Sequence, residues 1–187
     1  MGKSKKYGMN TKALHANKKF EPISGDIMPP LHLSTTYKND VPGESEYFYG
    51  RVNNPTRELF ERTLASLEGI DNYEEMHALA MASGMSAVSL IAELVKPGEN
   101  VVITKDVYGG TTNYFSKIVT ERGVEVNFCD FSDTEKLKSL LNDKTKLAWI
   151  ESPSNPSINL YDLSKIAEIV HENGTFLVAD STFSTPF

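Results

Sequence analysis

From residue 76 onward, apolar residues follow a repeating pattern of strand and helix. Short apolar runs predict strands at 76–81, 101–104, 124–129, 147–151 and 175–180. Between these runs, apolar residues return every three or four positions, which predicts helices. Strands that are continuously apolar and joined by helices predict an α/β fold. Its sheet is mostly parallel and covered by helices on both faces.

Residues 1–53 lack this periodicity and contain turn formers such as Pro29, Pro30 and Gly43. We interpret them as an arm that lies on the rest of its own subunit or on a neighbour. A helix then begins at Asn54 and Pro55, because Asn is a good N-cap and Pro is favoured at the first helical position. Its predicted apolar stripe, which Gly69 ends, is Leu59, Phe60, Leu64 and Leu67.

Three of the later helices have recognisable signals. A helix with Tyr114, Phe115, Ile118 and Val119 on one face should stop at Gly123. Ser132 and Glu135 have the spacing of a capping box, which predicts that Ser132 caps the next helix. Residues 162–173 form another predicted helix, with an apolar face of Leu163, Ile166, Ala167 and Val170.

Composition narrows the class of protein. The net charge of −6 gives no general signal for nucleic-acid binding. The lysines that precede the first acid, Glu21, are Lys3, Lys5, Lys6, Lys12, Lys18 and Lys19. They favour a solvated terminus, and binding of phosphate-rich partners is the alternative. The N-terminus has no apolar stretch suited to a signal peptide, so we expect a cytoplasmic protein.

Cys129 is the only cysteine, so an intrachain disulfide is impossible and a packed thiol is expected. The sequence contains no cysteine–histidine cluster of the kind that indicates a metal site. The apolar region 78–95 is interrupted by serines, Gly84 and Glu93, which favours a strand, a turn and a buried helix over a membrane span.

Polar and small residues follow the predicted strands, where open α/β sheets keep their ligand sites. Ser83, Gly84 and Met85 lie at a strand-to-helix turn, where backbone N–H groups can hold a phosphate or where small residues simply allow close packing. Asp180 ends an apolar strand. Its carboxylate either caps the turn through Ser181 or Thr182, or raises the pKa of a ligand's ring nitrogen.

Three further positions allow two interpretations each. Tyr108, which precedes Gly109 and Gly110, either packs across its turn or stacks on a flat aromatic ligand. Asn155, between two prolines, either bonds its own backbone or holds a ligand's hydroxyl or carboxylate. Tyr49 and Arg51 are either solvated or bind a phosphate through the tyrosine hydroxyl and the guanidinium.

The order and spacing of these residues resemble the trans-sulfuration group of pyridoxal-phosphate (PLP) enzymes: cystathionine γ-lyase, γ-synthase and β-lyase, with methionine γ-lyase close by. The resemblance runs from about Thr11 to Phe187, and its segments are 49–56, 83–85, 106–111, 151–156 and 180–183. It implies a fold-type I PLP-dependent enzyme. Residues 1–53 would be the arm, and residues 54–187 would be the first part of the large cofactor domain.

The resemblance also implies roles. Gly84 and Met85 would offer backbone N–H groups to the phosphate, and Tyr108 would stack on the ring and take part in proton transfer. Asn155 would bond the ring hydroxyl, Asp180 would pair with the ring nitrogen, and Thr182 would lie beside the ring. Tyr49 and Arg51 would reach the phosphate of a neighbouring subunit, which implies a homodimer or a homotetramer built as a dimer of dimers.

Several positions depart from the family pattern. Ser181 stands in place of the usual asparagine, and Asn113 in place of an arginine common in γ-lyases and γ-synthases. Gly110 replaces the cysteine typical of methionine γ-lyases, which disfavours that activity. No lysine here has the family's Ser-x-Thr-Lys context, so we expect the chain to be inactive alone.

Two functions from different classes stay open at the level of sequence. The first is part of an enzyme for elimination or replacement at the γ or β carbon of sulfur amino acids, with O-acylhomoserine sulfhydrylase as the alternative chemistry. The second is a non-catalytic fragment or pseudoenzyme with a binding role. A nucleotide-binding domain is disfavoured because the chain has neither G-x-G-x-x-G nor a P-loop.

Overall fold

The computed structural model describes residues 7–15, 25–41, 43–70 and 78–186. The chain divides into two compact units, residues 1–80 with 186–187 and residues 81–185. The predicted division at residues 53 and 54 stays a prediction. No helix within the described ranges combines the length and the apolar character needed to cross a bilayer.

The unit of residues 81–185 contains a parallel sheet of four strands. The strands are β1 (Asn100–Thr104), β2 (Glu125–Cys129), β3 (Thr145–Glu151) and β4 (Phe176–Asp180). Their order in the sheet is β2-β1-β3-β4, and each neighbouring pair is parallel. The sheet confirms the predicted fold class, with strand limits that differ from the predicted ones by one or two residues.

Helices cover both faces of this sheet. On one face, Val101, Ile103, Leu147 and Trp149 pack against α3 (Gly84–Ala92) and the helix that begins with α4 (Gly109–Asn113). On the other face, Val102, Ala148 and Ile150 pack against α5 (Thr134–Leu140) and α6 (Leu163–Glu172). Alternate strand residues point to opposite faces, so continuously apolar strands supply two separate cores.

The helix that begins with α4 changes its winding. It continues as a π-helical segment, Tyr114–Val119, and ends as a 3-10 turn, Thr120–Arg122. Gly123 then takes a left-handed conformation at φ 83°, as the predicted stop requires. Only Phe115 and Val119 of the predicted face are buried, whereas Ile118 is exposed. The wider π turn changes which residues face the sheet.

The predicted starts of α5 and α6 have different outcomes. Asp162 caps α6, because its side chain accepts a hydrogen bond from the Lys165 N–H. The capping box at Ser132 is wrong, since Asp133 caps α5 instead. The Ser132 hydroxyl donates to Asp130 Oδ1 at 2.6 Å, so this side chain is already engaged outside the helix.

In the other unit, α2 (Pro55–Leu67) begins as predicted. Asn54 accepts hydrogen bonds from the N–H groups of Thr56 and Arg57. The predicted stripe is only partly correct, because Leu59, Leu64 and Leu67 are half-buried whereas Phe60 is 55% exposed. The buried residues of α2 are Glu61, Ala65 and Ser66. The Glu61 carboxylate accepts the Ala80 N–H at 2.8 Å, so a later part of the chain lies on this polar face.

Two features of this unit differ from the sequence prediction. A short helix, α1 (Met9–His15), lies within the predicted arm, and the Lys12 ammonium donates to the Ser66 carbonyl of α2 at 3.0 Å. The predicted strand at 76–81 lies partly outside the described residues, and its described part, 78–81, is irregular.

Candidate functional site

The carboxyl ends of β1, β3 and β4 lie at one edge of the sheet because the three strands are parallel. Six of the predicted site residues belong to this unit: Gly84, Met85, Tyr108, Asn155, Asp180 and Thr182. Contacts at the edge connect most of them to one another.

Tyr108 lies close to Gly110 and Met85. A Cβ atom on residue 110 would stand 2.4 Å from Tyr108 Cε1 and 2.9 Å from Met85 Sδ. A glycine is therefore required for this approach of the tyrosine ring. Because Tyr108 is still 50% exposed, part of its ring remains accessible to a flat ligand.

The first turn of α3 lies at the same edge. Ser83 is the N-cap, and its Oγ accepts a hydrogen bond from the Ser86 N–H at 3.2 Å. Gly84 and Met85 are the first residues of the helix, where backbone N–H groups have no partner inside the helix. Apart from the helix itself, no atom of the described residues lies within 4 Å of an added Cβ on Gly84, so the turn is open on that side.

Asp180 is half-buried and binds its own turn. Its Oδ1 accepts from the Thr182 N–H at 3.1 Å and from the Thr182 hydroxyl at 2.5 Å. The capping interpretation is therefore realised, and it places Thr182 beside the carboxylate. Both bonds use Oδ1, and within the described part of the chain no bond to Oδ2 is recorded. The carboxylate thus keeps one oxygen for a ligand.

Asn155 lies in a loop held by buried hydrogen bonds. Ser154, which is fully buried, donates its N–H to the Asn159 carbonyl, and its Oγ accepts the Asn159 N–H, both at 3.0 Å. The Asn159 amide also donates to Asp106 Oδ2 at 2.7 Å. The loops after β1 and β3 are therefore tied together, and the half-buried Asn155 lies in the second of them.

The sequence predicts no role for Glu151, the first residue of the segment 151–156. This last residue of β3 is only 4% exposed, and its Oε2 accepts the Tyr108 N–H at 2.7 Å. It stands opposite Asp180 in the strand register. Burial raises the pKa of the Glu151 carboxyl and the charge of Asp180 adds to the increase, whereas the N–H groups of Tyr108 and Asn155 oppose it. An acid ending an apolar strand was the available signal, as for Asp180.

Tyr49 and Arg51 belong to the other unit. The Arg51 guanidinium lies 4.7 Å from the centre of the Tyr49 ring, and Tyr49 forms an isolated antiparallel bridge with Thr36. Between them, the Gly50 N–H donates to the Thr35 carbonyl at 2.8 Å. Their role toward a neighbouring subunit stays a prediction.

The residues at the sheet edge fit PLP. Tyr108 offers an aromatic face, Asp180 offers a carboxylate oxygen, and the start of α3 offers N–H donors for an anion. A flat pyridinium ring that carries a phosphate needs these three kinds of group.

Several known proteins resemble this chain over almost its whole length. The chain is 42% identical over 185 residues to a cystathionine beta-lyase of Coxiella burnetii. It is 38% identical to a cystathionine gamma-lyase of Dictyostelium discoideum and 35% identical to a probable cystathionine gamma-synthase of Herpetosiphon aurantiacus. The alignments cover 98%, 97% and 97% of this chain but 46%, 46% and 56% of the relatives. The chain thus spans about half the length of these relatives.

The fold is shared with solved structures. That of metB from Corynebacterium glutamicum superposes with a TM-score of 0.88 at 34% identity, over 97% of this chain and 46% of that one. Residues 10–187 match the sequence pattern of a single family. The chain therefore belongs to the Cys/Met metabolism PLP-dependent enzyme family.

Proposed function

We propose that this chain forms part of the cofactor site of an enzyme that carries out elimination or replacement at the γ carbon, or the β carbon, of sulfur amino acids. The observation that carries the proposal is the sheet edge at which Asp180 and Glu151 are register partners and Glu151 holds Tyr108. The relatives' names, cystathionine lyases and synthase, support the substrate class.

When bound, PLP supplies an electron sink for negative charge at the substrate's α carbon. The proposed work of Asp180 is to keep the ring nitrogen protonated, since a nearby negative charge raises the pKa of that nitrogen. Tyr108 orients the ring by stacking, and its hydroxyl holds or moves a proton near the substrate.

The remaining residues bind and orient. The N–H groups of Gly84 and Met85 bind the phosphate, and the Asn155 amide bonds the ring hydroxyl. Thr182, held by Asp180 Oδ1, borders the ring. We further propose a homodimer or a dimer of dimers in which Tyr49 and Arg51 reach the phosphate of a neighbouring subunit.

Within this chemistry we favour cystathionine as substrate and the γ carbon as the position of reaction, with β cleavage next. Residues 151–156 resemble the trans-sulfuration enzymes more than the sulfhydrylases and lie at the proposed cofactor site. Asn113 favours the sulfhydrylases, but its side chain is exposed at the end of α4, where substitution is easy. We therefore give the 151–156 segment more weight.

Product analysis of the complete protein with PLP tests the proposal. Cleavage of cystathionine at the γ carbon releases cysteine, 2-oxobutyrate and ammonia, whereas β cleavage releases homocysteine, pyruvate and ammonia. We expect 2-oxobutyrate. In parallel, an acylated homoserine is offered with cysteine or with sulfide. A strong preference for sulfide, with cystathionine inert, establishes a sulfhydrylase instead. No turnover and no PLP binding establish a non-catalytic role.

A further inference from the structure

We propose that Glu151 is a positioning residue, whose buried carboxylate sets the conformation of Tyr108 and of the Asn155 loop for cofactor binding. This inference deepens the proposed function and rests on it. Glu151 touches neither ring nor substrate in this role, and it acts through the backbone of the two residues that do.

The first support is the cost of placing a carboxyl there. Glu151 ends a strand whose preceding residues, Leu147 to Ile150, are buried and apolar, and its own exposure is 4%. A buried carboxyl without hydrogen-bond partners is strongly unfavourable. An apolar residue would complete the strand without this desolvation cost. The carboxyl of Glu151 therefore needs hydrogen-bond partners that offset the cost.

The second support is what those partners are. Glu151 Oε2 accepts the Tyr108 N–H at 2.7 Å across 43 residues of sequence, and the Asn155 N–H also interacts with this carboxyl. Tyr108 follows β1 and Asn155 follows β3. One side chain therefore fixes the backbone of both loops that carry proposed ring contacts. Hydrogen bonds to a charged acceptor are stronger than neutral ones.

The third support is the position of the Tyr108 ring. Its edge lies close to the Cα of Gly110 and beside the Met85 thioether. Tyr108 is the N-cap of α4 and its side chain makes no cap bond there, while its backbone N–H is bound by Glu151. Release of the Tyr108 N–H would allow the ring to leave Met85.

The test compares two substitutions that separate reach from charge. Glu151→Gln keeps the reach and one acceptor oxygen, whereas Glu151→Asp keeps the charge and shortens the side chain by one methylene. Glu61→Asp is the matched control, because Glu61 is also 4% exposed and accepts one backbone N–H, that of Ala80 at 2.8 Å. Like Glu151→Asp, Glu61→Asp shortens a buried carboxyl side chain by one methylene, but it does so outside the proposed site.

The first measurement needs no cofactor. NMR reports the nuclear Overhauser effect between the Tyr108 ring and the Met85 methyl group, together with the Tyr108 amide proton shift. We expect Glu151→Asp to lose the effect and to move the amide proton upfield, because its hydrogen bond is lost. Glu151→Gln and Glu61→Asp should retain the effect. An unchanged Tyr108 signal in Glu151→Asp overturns the proposal by itself.

The second measurement is the affinity of the complete protein for PLP, by equilibrium dialysis. We expect Glu151→Asp to weaken binding about tenfold or more, as loss of a buried hydrogen bond predicts, and Glu151→Gln by less than about threefold. Equal affinity of all variants overturns the proposal. If the complete wild-type protein binds no PLP, the proposed function fails, and the NMR result then decides the role of Glu151 separately.

Discussion

At the scale of single residues, the candidate site brings together three residues at the carboxyl edge of the sheet. Glu151 and Asp180 end strands, and Tyr108 precedes α4. Asp180 is half-buried and bonded to Thr182, Glu151 is buried and bonded to the Tyr108 backbone, and Tyr108 is half-exposed. The difference in burial separates their roles. An accessible carboxylate can face a ligand, whereas the buried one acts on its neighbours.

The proposed role of Asp180 predicts the effect of its removal. Asp180→Ala should lower the turnover of the complete enzyme by at least about 100-fold, the loss typical for one group that stabilises developing charge. The measurement is kcat under saturating PLP, with the thermal midpoint as a check on folding. Asp143→Ala, at an exposed turn position, is the control and should retain activity. Near-normal turnover of Asp180→Ala would assign the role to another acid.

Cys129 gives a prediction about reactivity. Burial raises the pKa of its thiol from 9.0 to about 11, so the folded thiol stays protonated at neutral pH. At about pH 8, iodoacetamide should modify the folded chain far more slowly than the urea-unfolded chain, because the thiolate is the nucleophile. Mass spectrometry measures the two rates. Equal rates would show that the thiol is exposed.

The same pKa increase has a definite sign for stability. Above about pH 9 the unfolded thiol ionises while the folded thiol stays protonated until about pH 11. The contribution of Cys129 to stability is therefore complete below pH 9 and decreases as the pH rises through this interval.

At the scale of elements, helix starts depend on which polar side chain is free to cap. Asn54, Asp133 and Asp162 each accept N–H groups of a first turn. Ser132 does not cap α5, since Asp130 accepts its hydroxyl and its N–H. Because Asp130 binds Ser132, the neighbouring Asp133 is the side chain that caps α5 and determines where this helix begins.

The cap of α6 can be tested directly. Asp162→Ala removes the acceptor for the Lys165 N–H and should lower the free energy of unfolding by about 1 kcal/mol. Urea denaturation followed by circular dichroism measures the change. Asp162→Asn, which retains an acceptor oxygen, should recover most of the loss. A neutral Asp162→Ala would mean that packing of Ile166 and Val170 alone holds the helix start.

At the scale of the whole molecule, one continuous sheet separates two cores and presents its carboxyl edge to the site. Successive core residues along β1 and β3 point to opposite faces of the sheet. Helices therefore pack against the sheet on both sides. The loops at the carboxyl edge can then carry polar chemistry on a rigid support.

The lysines of this chain provide a prediction at that scale. Lys105 follows β1, but its ammonium pairs with Asp130 at 3.1 Å, and no described lysine is recorded in a bond with Tyr108 or Asp180. Incubation of the 187-residue chain with PLP and then borohydride should label its lysines weakly and at several positions. Peptide mapping measures the distribution. Stoichiometric labelling of a single lysine would contradict the expectation.

The amino-acid sequence by itself predicted the features that depend on local physics. The alternation of apolar runs and amphipathic segments identified β1 to β4 and the helices between them. Asn54 and Asp162 were correct as helix starts because a cap needs only residues in its own first turn. The strand ends that carry Tyr108 and Asp180 were visible for the same reason.

Only the tertiary structure decided the features that join distant segments. The buried face of α2 contains Glu61 because a distant N–H, that of Ala80, joins the neighbouring Arg57 in satisfying its carboxylate. Likewise, Gly110 is required by the ring of Tyr108 beside Met85, and Glu151 is held by N–H groups from two loops. Periodicity cannot show such pairs, because the burial of a polar group is determined by partners far away in the sequence.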